Sequence, residues 1–396
     1  MKTPNHLPPR MLRCLALTLP MLSAAAMAQD AGLGLFQDMS AVGTLLHAGS
    51  AEYSAATGTY EVTGSGENMW ANADAFQFVW TKVDAVNVTF TADISILSSG
   101  EEHRKAALMI RQSLDADSAY ADVALHGNGL TSLQFRTAKS APTHEIESNI
   151  SAPHRLRIEK RGDLFYMWLS DSSGSLQFAG GSARIPITGP FYIGLAVCAH
   201  NKDAILKASF SNVELYEASA RQATALGKPE TTTSYSTLET INVASTDALV
   251  SYVSREPIEA SSWSQDLADL VFRTGNAVMR VPAAGGAPRP ASADDAALLP
   301  APGAAPSPGH WLSPDGRMVA LLIAPSSASA GSIARDWQLG VAPAPELPKT
   351  SGQGGQEYTG LSPRIIVTFA GNKHSIGLRP WSPDSRRLVF ISHQSL

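Results

Sequence analysis

Two carboxylates on one side of a β-strand can cleave a glycosidic bond, and Glu145-Ile146-Glu147 has the spacing that places them so. The residues that follow are Ser148, Asn149 and Ile150, so the Glu-x-Asp-x-x-Glu pattern of a hydrolase strand is not completed. The pair is read as a solvated strand face. His144-Glu145 opens in the manner of a zinc-hydrolase helix, but Ser148 stands where the second histidine belongs and the context is strand. Asp115 and Asp117, just ahead of Ser118, offer oxygens to calcium, and the same residues suit an Asx turn. His103, His126, His154 and His200 share no ligand-like spacing and read as surface or turn residues. A serine nucleophile needs a strand-to-helix elbow, for which there is no helical pattern, and the glycine-rich stretches lack the lysine of a phosphate loop. The expectation is of no catalytic residue, no metal site and no cofactor.

What remains is chemistry suited to binding. Aromatic rings stack on the faces of sugar rings, while short polar or guanidinium side chains fix hydroxyls. The candidates for ligand contact are Trp70, Trp80 and Tyr120, with Asp74, Arg111 and Arg136 as their polar partners, and Trp168 is a further ring of the same type. Each has an alternative reading as core or strand-entry packing.

These residues sit in a pattern of short strands. From Phe36 to Leu215 apolar and polar residues alternate with period two, as in Val86, Val88 and Phe90, in Leu156 and Ile158, and in Phe191, Ile193, Leu195 and Val197. Arg161-Gly162-Asp163 and Gly127-Asn128-Gly129 supply tight turns between such runs. Strands with one apolar face bury it by stacking two sheets, so residues 29–217 are expected to form an antiparallel sandwich or jelly roll. Small polar residues dominate 218–237, which reads as a linker, and a second domain spans 238–396. The stretches Ala283–Pro308 and Ala342–Gln356, rich in Ala, Pro and Gly, read as long surface loops.

The second domain carries a repeat. Trp263-Ser264-Gln265-Asp266, Leu312-Ser313-Pro314-Asp315 and Trp381-Ser382-Pro383-Asp384 each precede an apolar run, with an apolar residue anchoring a strand and an Asp accepting backbone hydrogen bonds at the turn. Their first residues lie 49 and 69 positions apart, against ~40–50 for a propeller blade, so the second interval must hold an insertion.

The first residues set the compartment. Lys2, Arg10 and Arg13 precede an apolar stretch, Leu15 to Leu22, and Ala26-Met27-Ala28 forms a small-x-small cleavage site before Gln29. This is the plan of a signal peptide over 1–28, and the apolar stretch, interrupted by Pro20, is too short to span a bilayer. Arg13 before Cys14 argues against lipidation, and cleavage leaves Cys198 without a disulfide partner. The expected location is periplasmic or secreted. Of 396 residues 16% are charged and the net charge is -5, with scattered cations, which argues against a nucleic-acid partner.

Taken together, Trp70–Trp80, Lys105–Arg111, His154–Ile158, Tyr192–Asn201 and Ala208–Val213 resemble a bacterial concanavalin A-like sandwich of the laminarinase and lectin type. The Ser-x-Asp repeat, together with Val278–Arg289 and its Gly285-Gly286 turn, resembles the TolB-like β-propeller. The resemblances imply an all-β protein: a jelly-roll sandwich followed by a partial propeller of two to three blades, cut short, whose open edges permit self-association. They also imply a non-enzymatic binding or scaffold role. The sandwich would recognise a glycan or a cell-envelope protein, and the propeller would serve as a docking surface. Two alternatives stay open at this point, a glycan-active hydrolase with an unrecognised site and a truncated remnant without stable activity.

Overall fold

The computed structural model describes residues 32–219, 232–266, 268–302, 309–325, 334–345 and 361–396. The expected leader 1–28, most of the expected linker and parts of the two Ala/Pro/Gly-rich stretches lie outside the described residues. The protein is all-β. Its one α-helix among the described residues is a single turn, Ala293–Ala296, capped by Ser292. No helix among them is long and apolar enough to cross a membrane.

Two large sheets stack face to face. One has ten strands, in the order Asp38–Val42, Phe76–Val83, Phe191–Cys198, Lys105–Arg111, Tyr120–His126, Thr131–Arg136, His144–Glu147, Ala248–Ser254, Ser234–Asn242 and Arg387–Ser395. The other runs from Leu176–Phe178 through Leu164–Ser170, Arg155–Arg161, Asn87–Ile96, Asn201–Ala218 and Thr59–Gly66 to Ser50–Ser54. Alternation explains the stacking, because Leu108, Ile110, Val123, Leu133 and Leu195 from the first sheet meet Phe90, Ile94, Leu156, Ile158 and Phe210 from the second in one core. Val86, expected on that inner face, is 39% exposed because it precedes the strand Asn87–Ile96. The turn at Gly162 has φ +63°, the left-handed conformation that a two-sided hairpin turn asks of its glycine.

The strands Lys105–Arg111 and Tyr120–His126 are buried on both faces, not one. Their second face lies under a small hairpin, Met69–Trp70 with Ala73–Asp74, which creates a second apolar cluster that includes Met69, Phe76, Phe78, Met109 and Tyr120.

Downstream of the sandwich come two four-stranded sheets and a third unit of three strands, which also form the end of the ten-stranded sheet, plus an isolated bridge. The first joins Ile258–Trp263, Asp269–Thr274, Ala277–Pro282 and Arg289–Pro290, and the second joins His310–Leu312, Met318–Ile323, Ala334–Pro343 and Arg364–Gly371. The third draws on both ends of the region: Trp381 bridges to Leu388, Arg387–Ser395 pairs with Ser234–Asn242, and Ser234–Asn242 pairs with Ala248–Ser254. The strand over Leu388–Ile391, expected as the open start of a blade, is thus paired in register from Ser234↔Ser395 to Asn242↔Arg387. Pairing removes a long unpaired edge that carries the buried side chains Leu388 and Phe390. The strand beginning at Ser234 also takes up the last four residues of the expected linker.

The repeat turns share one geometry. Ser264, Ser313 and Ser382 donate their hydroxyls to Asp266, Asp315 and Asp384 at 2.7, 2.6 and 2.6 Å. The same hydroxyls accept from the backbone N–H of Asp269, Met318 and Arg387 at 3.1, 2.9 and 2.8 Å. In the second copy the buried anchor is Trp311 at 7% exposure, while Leu312, aligned by sequence with the two tryptophans, is 41% exposed. Trp381 Nε1 donates to the Trp311 carbonyl at 2.9 Å and Trp263 Nε1 to that of Pro380 at 3.0 Å, so the anchors of different units are tied to one another.

Candidate functional site

The strand register assembles a polar surface on the ten-stranded sheet, on the face turned away from the main core. Arg111 lies opposite Tyr120 and Tyr120 opposite Arg136; Met109 lies opposite Asp122, Asp122 opposite Gln134, and Gln134 opposite Glu145; Lys105 lies opposite His126. Period two sends all of these side chains the same way.

At one end of this surface, four of the sequence candidates come together as a lock. Asp74, on the small hairpin, accepts from Arg136 at 2.7 and 3.0 Å and lies 3.4 Å from Arg111, with both ion pairs shut off from solvent. Arg136 also donates to the carbonyls of Ala71, Ser118 and Ala141 and stacks 5.0 Å from the Tyr120 ring. The Tyr120 hydroxyl reaches the Met69 carbonyl at 3.3 Å. Burial pushes the Asp74 carboxyl up, and the two guanidiniums pull against that rise. Expected as ligand contacts, Asp74, Arg111, Tyr120 and Arg136 are buried and spend their polar groups on the hairpin and on each other. They fasten the hairpin that carries Trp70, whose carbonyl accepts from Arg136 at 3.3 Å. Trp80 lies apart, with Nε1 donating to Ser40 Oγ at 2.9 Å and its ring edge-on to Tyr192. Trp168 packs against Phe178 and Tyr235.

At the other end the surface opens into a cleft of about 200 Å³ lined by Asn68, Trp70, His103, Lys105, His126, Gln134, Glu145 and His200, with Leu130. Trp70 is half-buried and forms one wall. Lys105, 2% exposed, donates to Asn68 Oδ1, Gln134 Oε1 and the Met69 carbonyl at 2.9, 3.1 and 3.2 Å, and its Nζ sits 5.6 Å from the Trp70 ring centre. His103 Nδ1 meets His126 Nδ1 at 3.2 Å, and the His103 ring lies edge-on to His200. Gln134 Nε2 donates to Glu145 Oε2 at 3.4 Å.

Electrostatics in this cleft work against charging two of its imidazoles. Burial, reinforced by the Lys105 ammonium, pushes His126 down to about 2, so its imidazole stays uncharged at any ordinary pH. His200 is lowered by the same two causes in the same order. Asp122, wholly buried and with no donor on either oxygen, is held well above the usual carboxylate range by desolvation, against the pull of Lys105. Cys198, free and buried nearby, has its thiol pushed up to about 11 by burial, which makes it inert.

His103, exposed in a turn, and His200, half-buried at a bend between strands, lie as read, whereas His126, read as a surface or turn residue, is buried in a strand; the register brings all three to one cleft. His154 is elsewhere, with Nδ1 3.3 Å from Ser170 Oγ. Among the described residues no three His, Cys, Asp or Glu side chains are arranged to hold a metal ion. Asp115 is engaged by Lys139 at 2.8 Å and Asp117 by the Ser140 hydroxyl at 2.6 Å. His144 points Nδ1 at Thr246 Oγ1 and the Ser245 carbonyl, away from Glu145's cleft. Glu145 and Glu147 do share one face, opposite Gln134 and Ser132.

No protein-family model matches the chain. No curated protein matches it either. Among solved structures it is similar to a functionally unknown protein from Saccharomyces cerevisiae, at 13% identity and a TM-score of 0.35, over 45% of this chain and 96% of that one. It is similar to the carbohydrate-binding module CBM66 from Bacillus subtilis at 19% identity and a TM-score of 0.31, over 46% and 97%. A third is the polysaccharide lyase family 7 alginate lyase AlgAT5, at 10% identity and a TM-score of 0.28, over 42% and 82%.

Proposed function

We propose that this chain is an extracytoplasmic glycan-binding protein whose sandwich receives one sugar residue in the cleft beside Trp70. The observation that carries the reading is the pairing of a half-buried indole wall with hydrogen-bonding groups around it, namely Asn68, Gln134, His103 and His200. A sugar ring presents an apolar face and a rim of hydroxyls that both donate and accept, and this cleft offers a partner for each. Its volume, about 200 Å³, is below the ~300–1,000 Å³ of sites for drug-sized ligands, which suits a single ring rather than an enclosed oligosaccharide. Binding is favoured over cleavage because Glu147, the strand partner of Glu145, does not line the cleft, and Asp122, the other nearby acid, is fully buried. No acid faces Glu145 from across the cleft among its lining residues.

Under this proposal the leader 1–28 is removed and the mature protein acts in the periplasm or outside the cell. The three Ser-x-Asp units, read as TolB-like blades, would serve as a docking surface for envelope partners. The test is a glycan array followed by isothermal titration calorimetry on the mature chain. Trp70→Ala should weaken binding about tenfold or more, the order expected on losing a stacked aromatic wall, while Trp80→Ala leaves it unchanged. Silence across the array, or equal affinity in Trp70→Ala, would count decisively against the reading.

A further inference from the structure

A second cavity, of about 350 Å³, lies where the sandwich meets the C-terminal units. Phe135 and Ile146 wall it from the sandwich side, and Ile241, Ile366, Phe369 and Phe390 from the other. Its size falls within the ~300–1,000 Å³ of small-molecule sites, and its lining joins apolar walls to several polar side chains.

The polar group that stands out is Glu239, 3% exposed and on the cavity lining. It sits between Phe390 and Val250 in the sheet register. Thr237 and Ser392 donate their hydroxyls to its Oε1 at 2.5 and 2.6 Å. No ion pair forms at its carboxylate among the described residues. The charged or titratable groups that face the cavity from the packed elements are Arg184 and His144. Arg184 is committed to Asp163 and Asp336 at 2.7 and 2.8 Å. His144 is committed to Thr246 and Ser245, with Asp247 at 3.9 Å. Burial pushes the Glu239 carboxyl up, as it must for an acid with hydroxyl partners alone. A buried carboxyl without a cation is costly, and an apolar residue would pack there more cheaply. The arrangement makes sense if the missing cation arrives with a ligand.

We propose that this cavity binds a small organic amine, with its ammonium on Glu239 and an apolar body against the Phe369 and Phe390 rings, whose centroids are 5.0 Å apart. The site is separate from the Trp70 cleft and stands whether or not that cleft binds glycans. Benzylamine is the probe, with benzyl alcohol as its uncharged counterpart, titrated into the mature chain at neutral pH by calorimetry and by ¹H–¹⁵N correlation spectra. Benzylamine should bind saturably, and benzyl alcohol about tenfold or more weakly, as should benzylamine to Glu239→Gln, the order expected for losing a charge-assisted hydrogen bond. Thr368→Phe, which fills the cavity from its wall and leaves Glu239 in place, should abolish benzylamine binding with the fold intact by circular dichroism. The proposal is overturned if benzylamine fails to saturate, if the alcohol or Glu239→Gln matches it, or if the Thr368→Phe protein still binds.

Discussion

His126 shows how a residue's chemistry is decided by its neighbours across strands. It is 5% exposed, beside a buried ammonium, and its imidazole is held down at about 2 against an ordinary value of 6.5. Above pH 6.5 neither folded nor unfolded chain protonates it. Below that value the unfolded chain takes up a proton that the folded chain refuses, so this group lowers stability as pH falls from 6.5 towards 2. His393, pushed down by burial to about 4, acts in the same direction over a narrower window. At pH 5 His126 should cost on the order of 2 kcal/mol, from about 1.4 kcal/mol per unit below the unfolded value. Urea melts between pH 7 and 5 should show that loss, and His126→Gln should flatten the slope; an unchanged slope would show that the imidazole is protonated in the fold. None of this was visible from the one-dimensional spacing of histidines. Positions 103, 126 and 200 converge only through the pairing of Lys105 with His126 and of Cys198 with Lys105. A signal was present all the same: Tyr120, Asp122 and His126, like Ser132, Gln134 and Arg136, interrupt apolar strands at even spacing, which marks a polar face. Asp74, Arg111, Tyr120 and Arg136 were singled out by residue type and do meet, but type alone does not tell a lock from a ligand contact.

The strands themselves were the most legible part of the sequence, because alternation is a local property and hairpin turns name themselves through glycine. Pairings between distant segments were not. His144–Glu147 runs parallel to Ala248–Ser254, through Ile146↔Ala248 and Glu147↔Leu249, and nothing local encodes that contact. The Ser-x-Asp turns lie between these extremes. Their motif is written in the sequence and their hydrogen bonds are repeated in all three copies, yet the anchoring tryptophan of the second slips to Trp311, one residue before the aligned Leu312. Each serine hydroxyl both donates to its Asp and accepts a backbone N–H, so replacing it leaves two groups short of a partner. Ser264→Ala, Ser313→Ala and Ser382→Ala should each cost about 1 kcal/mol, with the triple change near the sum if the turns act independently. Chemical denaturation of the four variants beside the unsubstituted protein measures this. A cost confined to one turn would mean that the shared geometry does not reflect a shared energetic role.

The ten-stranded sheet runs without a break from the sandwich into the strands at Ala248–Ser254, Ser234–Asn242 and Arg387–Ser395. Contacts across this line are close. A Cβ on Gly180 would fall 2.6 Å from Val250 Cγ1, so the two parts approach there to a distance that only glycine allows. Asn149 Nδ2 donates to the Ser251 carbonyl at 3.2 Å and the Glu145 N–H to Asp247 Oδ1 at 3.2 Å. Ile241, Ala248 and Val250 share one core cluster with Ile146 and Leu133. A fragment ending at residue 218 therefore leaves His144–Glu147 as an unpaired edge and uncovers Ile146, which are the conditions for edge-to-edge association. Such a fragment, made from residue 29, should unfold at a lower temperature than the mature chain, bind a hydrophobic dye and elute larger than a monomer. Adding back residues 219–396 as a separate chain should reverse all three, because the lost partner is a strand and an apolar face rather than a covalent link. If the fragment instead stays monomeric and melts with the full protein, the seam through the sheet contributes little, and the sandwich is stable without its C-terminal neighbours.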